Sequence, residues 1–160
     1  MAERKLADLK KEYEKAQEKY KLPSFQALNE DFEIEKAVEH ESEILLREIR
    51  KVMMDKVIAY FRFIELLLNP SNAPMFFLFL LKGLEATDRK NIEDIYNKLG
   101  KIEIDVLSLD NNYSEKSEAE FIKKMYKEWQ EVKKDMQKLV DVFSKSWDRK
   151  SEKKEKGYLG

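Results

Sequence analysis

Residues 121 to 147 constrain this chain most. Phe121, Ile122, Met125, Trp129, Val132, Met136, Leu139, Val140, Phe143 and Trp147 recur every three or four positions, with charged residues between them and no glycine or proline. That period places the apolar side chains on one stripe of an α-helix and leaves the rest of its surface to water. Such a helix must bury its stripe against other helices. The same period appears in three further stretches. The fold class expected is therefore all-α, an antiparallel helical bundle of about five helices, two of them long.

Composition agrees. Of the 160 residues 39% are charged, and 4 Gly and 3 Pro leave little material for the tight turns of sandwiches or barrels. Lys and Arg total 31 and Asp and Glu 32, a net charge of -1, so the chain as a whole is not steered toward nucleic acid or an anionic membrane. The 0 cysteines exclude disulfides, thiolate zinc sites and a cysteine nucleophile. The Glu- and Lys-rich, Cys-free balance is thermophile-like. The start, MAERKLADLKKEYEKAQ, has no apolar signal core and too many acids for a transit peptide, so a cytoplasmic location is expected.

Three regions are expected: an N-terminal heptad-like helix (1–22), a bundle (23–147) and a charged, flexible tail (148–160). In the first, Leu6, Leu9, Tyr13, Ala16 and Tyr20 are spaced 3, 4, 3, 4 like a coiled-coil seam. Under three heptads do not make a stable isolated coiled coil, so this seam packs on its own bundle or on a second copy. Leu22-Pro23-Ser24 breaks it. A long helix is expected from Phe32 to Leu68, carried by Ile34, Val38, Leu45, Ile49, Val52, Met53, Tyr60, Ile64 and Leu67, with a strongly acidic first part. Asn69-Pro70 ends it. Asn72 then serves as N-cap of a short helix stopped by Gly83.

Thr87 or Asp88 caps a fourth helix, 88–109, on Ile92, Ile95, Tyr96, Leu99, Ile102, Val106 and Leu109. Ile102, Ile104 and Val106 also alternate as in a strand, but no second strand exists to pair with it. Ser117 and Glu120 match a capping box, S-x-x-E, for the last helix, which ends near Trp147. Trp129 and Trp147 are expected in the core.

Between Met75 and Leu81 every residue is apolar: MFFLFLL. Seven residues fall far short of the ~20 that span a bilayer, so no membrane span is expected. A helix apolar on every side must be covered. Phe76, Phe77 and Phe79 are thus either the plug of the core or, where cover runs out, an interface. With Leu6, Leu9, Tyr13 and Tyr20 they are the candidate interface residues for a homodimer or a protein partner.

Catalytic signals are absent. His40 is the one histidine, and position 37 is Ala37, so the paired Glu-x-x-His motifs of a dinuclear metal site cannot form. No phosphate-binding glycine loop and no nucleophile elbow occurs. The expectation is a non-enzymatic protein with no cofactor and no metal. Basic residues supply an alternative. Arg47, Arg50 and Lys51 cluster after the acidic stretch, and Arg149, Lys150, Lys153 and Lys154 lie in a tail of net positive charge. Together they are candidate contacts for nucleic acid, RNA or the ribosome. Tyr158-Leu159 is an apolar pair at the end of that tail, either inert or a short docking motif.

The segments LPSFQALNEDFEIEK, LLREIRK and NPSNAPMF resemble a conserved, uncharacterised family of small archaeal helical proteins. That resemblance implies an all-α fold and carries no activity or site residue with it. LLREIRKVMMDKVIAYF is also similar to the long helix of the helical domain in GINS replication factors, whose small β-domain has no counterpart here.

Overall fold

The computed structural model describes residues 5–39 and 44–159, with side chains described as far as Arg149. Among the described residues the chain is all-α: α1 (Leu6–Tyr20), α2 (Phe25–Phe32), α3 (Leu45–Leu68), α4 (Met75–Lys82), α5 (Ala86–Asn111) and α6 (Glu115–Leu159). Two 3-10 segments, Ile34–Glu39 and Pro70–Asn72, lie between them. Two compact units are present: Met1–Tyr60 with Lys101–Trp129, and Phe61–Gly100 with Gln130–Gly160.

In the first unit α1 packs on α2 and on the following 3-10 segment. Leu9 and Tyr13 of the heptad seam are wholly buried there. The seam's short length is met by burial inside its own unit. Lys21 closes α1 in the left-handed conformation (φ 57°), its N–H bonded to the Gln17 carbonyl.

The expected helix from Phe32 to Leu68 does not form as one piece. Ser24 caps a separate α2, its Oγ accepting the Ala27 N–H at 3.1 Å. Glu33 then adopts φ 55° and ends α2 by donating its N–H to the Asn29 carbonyl. Asn29 Oδ1 accepts the Glu35 N–H at 2.9 Å, holding the chain in the turn. The acids between Glu30 and Glu39 therefore occupy α2, a turn and a 3-10 segment, and α3 begins at Leu45. The left-handed Glu33 and the Asn29–Glu35 bond together override a continuous helical pattern, because the side-chain amide satisfies a backbone N–H that the helix would otherwise pair.

Other boundaries shift for similar local reasons. Asn72 lies in a 3-10 turn, and Pro74 occupies the N-cap of α4 with no side-chain cap. Asp88 receives the Glu85 N–H at 2.9 Å, the return half of a capping box at the start of α5. For α6 the cap is Ser114, whose Oγ accepts the Ser117 N–H at 3.1 Å, not Ser117. The strand alternative at 102–106 is resolved by exposure. Ile102 is buried and Ile104 is 61% exposed, whereas a strand would place both on one face. Helix α6 continues to Leu159, beyond the end expected near Trp147. No proline or glycine interrupts it before Gly157.

The interior of the first unit centres on Trp129, fully buried, with the Phe32 ring at 5.2 Å and the Tyr60 ring at 5.0 Å. Leu28, Ile34, Leu46, Ile49 and Met53 of the same unit are also buried. Each such side chain contributes ~1.5–3 kcal/mol by leaving water. In the second unit Ile64, Leu67, Ile92, Ile95, Leu99, Val132 and Leu139 are buried. No helix among the described residues is long and apolar enough to cross a membrane.

Candidate functional site

Helix α4 presents the most exposed apolar surface of the second unit. Its sequence, MFFLFLLK, has no polar face to turn to water. Leu80 alone is buried, whereas Met75 is 83%, Phe76 49% and Leu78 44% exposed. Phe77 and Phe79 are half-buried. Trp147, expected in the core, is 45% exposed. The physical cause is partial cover: rings on α4 shield part of the indole and the rest of it meets solvent.

The aromatic rings form a connected row. Phe77 meets Phe63 at 5.4 Å, and Phe63 meets Phe143 at 6.4 Å. Phe76 meets Phe77 at 5.6 Å and Trp147 at 5.9 Å, and Phe79 meets Trp147 edge-on at 5.4 Å. The half-buried Phe77 and Phe79 thus hold edge contacts with the exposed Phe76 and Trp147. A hollow of about 240 Å³ opens among Phe76, Leu80, Phe143, Ser144, Trp147 and Asp148. The close approach of α4 to α6 depends on Gly83. A Cβ there would fall 2.9 Å from the Cβ of Ser146 and nearer still to its Oγ.

Among the described residues, charge near this face is of both signs. Lys82 ends α4 and Asp148 lines the hollow. Both are exposed, and neither has an ion-pair partner among the described residues.

The other candidate interface residues lie elsewhere. Leu9 and Tyr13 are buried, Tyr20 is half-buried with the Lys19 ammonium 5.1 Å from its ring, and Leu6 is 39% exposed. They do not form one outward seam, which removes the reason for placing a second copy on α1.

The basic cluster is also dispersed. Arg50 is 3% exposed and Glu118 wholly buried. Arg50 Nε donates to Glu118 Oε2 at 2.8 Å, and its Nη2 donates to Glu118 Oε1 at 3.0 Å and to Asp110 Oδ1 at 2.9 Å. An arginine so committed cannot read a phosphate, and its place in the candidate nucleic-acid surface is corrected accordingly. Burial works against its charge, yet the two carboxylates outweigh this and hold its pKa above the ordinary arginine value. Arg47 stacks its guanidinium 4.4 Å from the Tyr113 ring centre, and Lys51 pairs with Glu48 at 3.5 Å. Arg149 is exposed, while the side chains of Lys150, Lys153 and Lys154, like His40 and the Tyr158-Leu159 pair, lie outside the described ones. Among the described residues no cluster of three or more acids or histidines is placed to hold a metal ion.

Sequence reasoning missed the Arg50–Glu118 pair. Its one signal was Glu118 standing next to the apolar Ala119 and three residues before Phe121, on the inward side of the stripe. Comparison of the chain with protein-family models, with curated proteins and with solved structures gives no match.

Proposed function

We propose that this is a non-enzymatic interaction protein that assembles as a homodimer through the face made by α4 and Trp147. The observation that carries the reading is the exposed aromatic contact of Phe76 with Trp147, with Asp148 next to Trp147 and Lys82 at the end of α4, neither charge having an ion-pair partner among the described residues. A two-fold interface sets the same patch against itself, so each group must find its complement within that patch. A face of one sign would repel its own copy. This one can place Lys82 of one subunit against Asp148 of the other around an apolar centre, the usual arrangement of a dry core and polar rim. With a net charge of -1 the whole chain offers little self-repulsion. A cytoplasmic setting suits such a protein.

Sedimentation equilibrium tests the reading. Wild type is expected to dimerise, and Phe76→Glu to be monomeric with an unchanged helical circular dichroism spectrum. Lys82→Glu and Asp148→Lys should each weaken the dimer, and the double exchange should restore it. A wild-type monomer at all accessible concentrations rejects the proposal, as does a dimer insensitive to these changes.

A further inference from the structure

The second unit carries another concavity, unrelated to the aromatic face. A cleft of about 760 Å³ is lined by Arg62, Glu65, Leu66, Leu68, Asn69, Ser71, Asn72 and Tyr96. Its volume falls within the range of ligand pockets, ~300–1,000 Å³. It forms because α3 stops at Asn69-Pro70 and the chain turns through the 3-10 segment, leaving the last turn of α3 beside Tyr96 of α5. Tyr96 is fixed by near-parallel stacking on Phe61, with ring centres at 5.0 Å and 14° between planes.

Part of the polar lining is unspent. Ser71 Oγ is within hydrogen-bond distance of Asn69 Oδ1, at 3.1 Å. Among the described residues, Arg62, Glu65, Asn72 and the Tyr96 hydroxyl have no side-chain hydrogen bond or ion pair. Arg62 and Glu65 stand three residues apart on one helix, a spacing at which opposite charges meet. At that same spacing Glu33–Lys36, Glu48–Lys51, Glu120–Lys123 and Asp135–Lys138 all close, at 3.0, 3.5, 3.3 and 3.8 Å. Arg62 and Glu65 line one cleft and leave each other unpaired.

We propose that this cleft binds a small zwitterion, an α-amino acid with an apolar or aromatic side chain. An α-amino acid carries its ammonium and carboxylate on one carbon, so two opposite charges a single helical turn apart can engage both. Arg62 takes the carboxylate through its guanidinium fork, and Glu65 takes the ammonium. Leu66, Leu68 and the Tyr96 ring receive the side chain, while Asn72 and the Tyr96 hydroxyl add hydrogen bonds. A ligand with one charge would leave the opposite group without a partner.

The test is titration of the full chain with L-phenylalanine, followed by amide resonances in nuclear magnetic resonance. Saturable shifts are expected at residues 62–72 and at Tyr96. L-Phenylalaninamide, which lacks the carboxylate, and N-acetyl-L-phenylalanine, which lacks the ammonium, are each expected to bind about tenfold more weakly or worse. Arg62→Gln should erase the preference over the amide, and Glu65→Gln the preference over the acetyl form. Both residues are exposed, so neither change should disturb the fold, which circular dichroism verifies. No saturable shift with about 10 mM L-phenylalanine overturns the proposal. So does equal binding of the three compounds, or discrimination that survives both substitutions.

Discussion

Arg50 and Glu118, sixty-eight residues apart in the chain, meet in the interior of the first unit as a two-bond pair of 2.8 and 3.0 Å. Asp110 closes the remaining side of the guanidinium from a more exposed position. The pair ties the second turn of α3 to the first turn of α6.

Removing one partner of this pair strands the other. Arg50→Met is expected to destabilise the protein by ~3–5 kcal/mol, because the Glu118 carboxylate stays buried without its cation. Glu118→Leu should cost about as much by stranding Arg50, although Asp110 retains part of its attraction. The double variant Arg50→Met with Glu118→Leu is expected to recover most of the loss, since apolar groups of similar size need no partner. Urea unfolding of the four proteins measures the cycle. Equal, additive losses would show that the pair acts only through packing.

Tyr13 gives the chain an alkaline limit. Its hydroxyl is buried and donates to the Pro23 carbonyl. Burial raises its pKa above the ordinary tyrosine value, because the phenolate would lose its water. Stability from the neutral phenol is fully present below about pH 10, the unfolded value, and is lost as pH rises through the folded value. Tyr13→Phe should cost ~1 kcal/mol at neutral pH through the lost hydrogen bond. It should also flatten the fall in melting temperature above about pH 10. An identical alkaline profile in both proteins would place the limit elsewhere.

Asp105 behaves in the opposite sense. Partial burial pushes its pKa up, but Lys101 at 2.5 Å and Lys124 at 3.0 Å outweigh this and hold it below the usual carboxylate value. Its contribution is therefore present above about pH 4 and is lost as pH falls below that. Asp105→Asn should cost under about 1 kcal/mol at pH 7, since both lysines are well exposed. The difference from wild type should vanish near pH 2 or with high salt, as chemical denaturation at several pH values would reveal.

Two glycines invite contrary outcomes. Gly100 lies inside α5, and a Cβ there would sit 3.5 Å from the Phe61 ring, an ordinary contact. Gly100→Ala should raise stability by up to about 1 kcal/mol through helix propensity. Gly83 lies against Ser146, where a Cβ has no room. Gly83→Ala should destabilise by ~1–3 kcal/mol, and Ser146→Gly in the same chain should recover part of that. Thermal melts distinguish the two sites.

Helix existence and the inward faces of most helices were legible in the sequence. Ile92, Ile95, Leu99 and Ile102 of α5, and Ile122, Met125, Trp129 and Val132 of α6, sit inside as their spacing implies. Periodicity reports that a stripe is covered because the 3.6-residue turn is a local property of the backbone. Helix α2 was not read: the expected helix began at Phe32, where α2 ends. The turn at Glu33 hangs on Asn29 bonding to Glu35, and the same residues read equally well as helix until that bond is seen.

What covers a stripe is a question for the whole fold. The seam of Leu9 and Tyr13 is the same pattern whether it faces a second copy or its own unit, and only packing on α2 and the 3-10 segment decided it. Charge was the least legible. In sequence Arg50 is one base among Arg47 and Lys51. In the structure it is separated from them by partners 60 and 68 residues away that take it out of water. The apolar run from Met75 to Leu81 was evident from composition alone. Which of its rings are half-buried, and that Trp147 is covered only in part, followed from the packing of α4 against α6, whose close approach at Gly83 leaves no room for a Cβ.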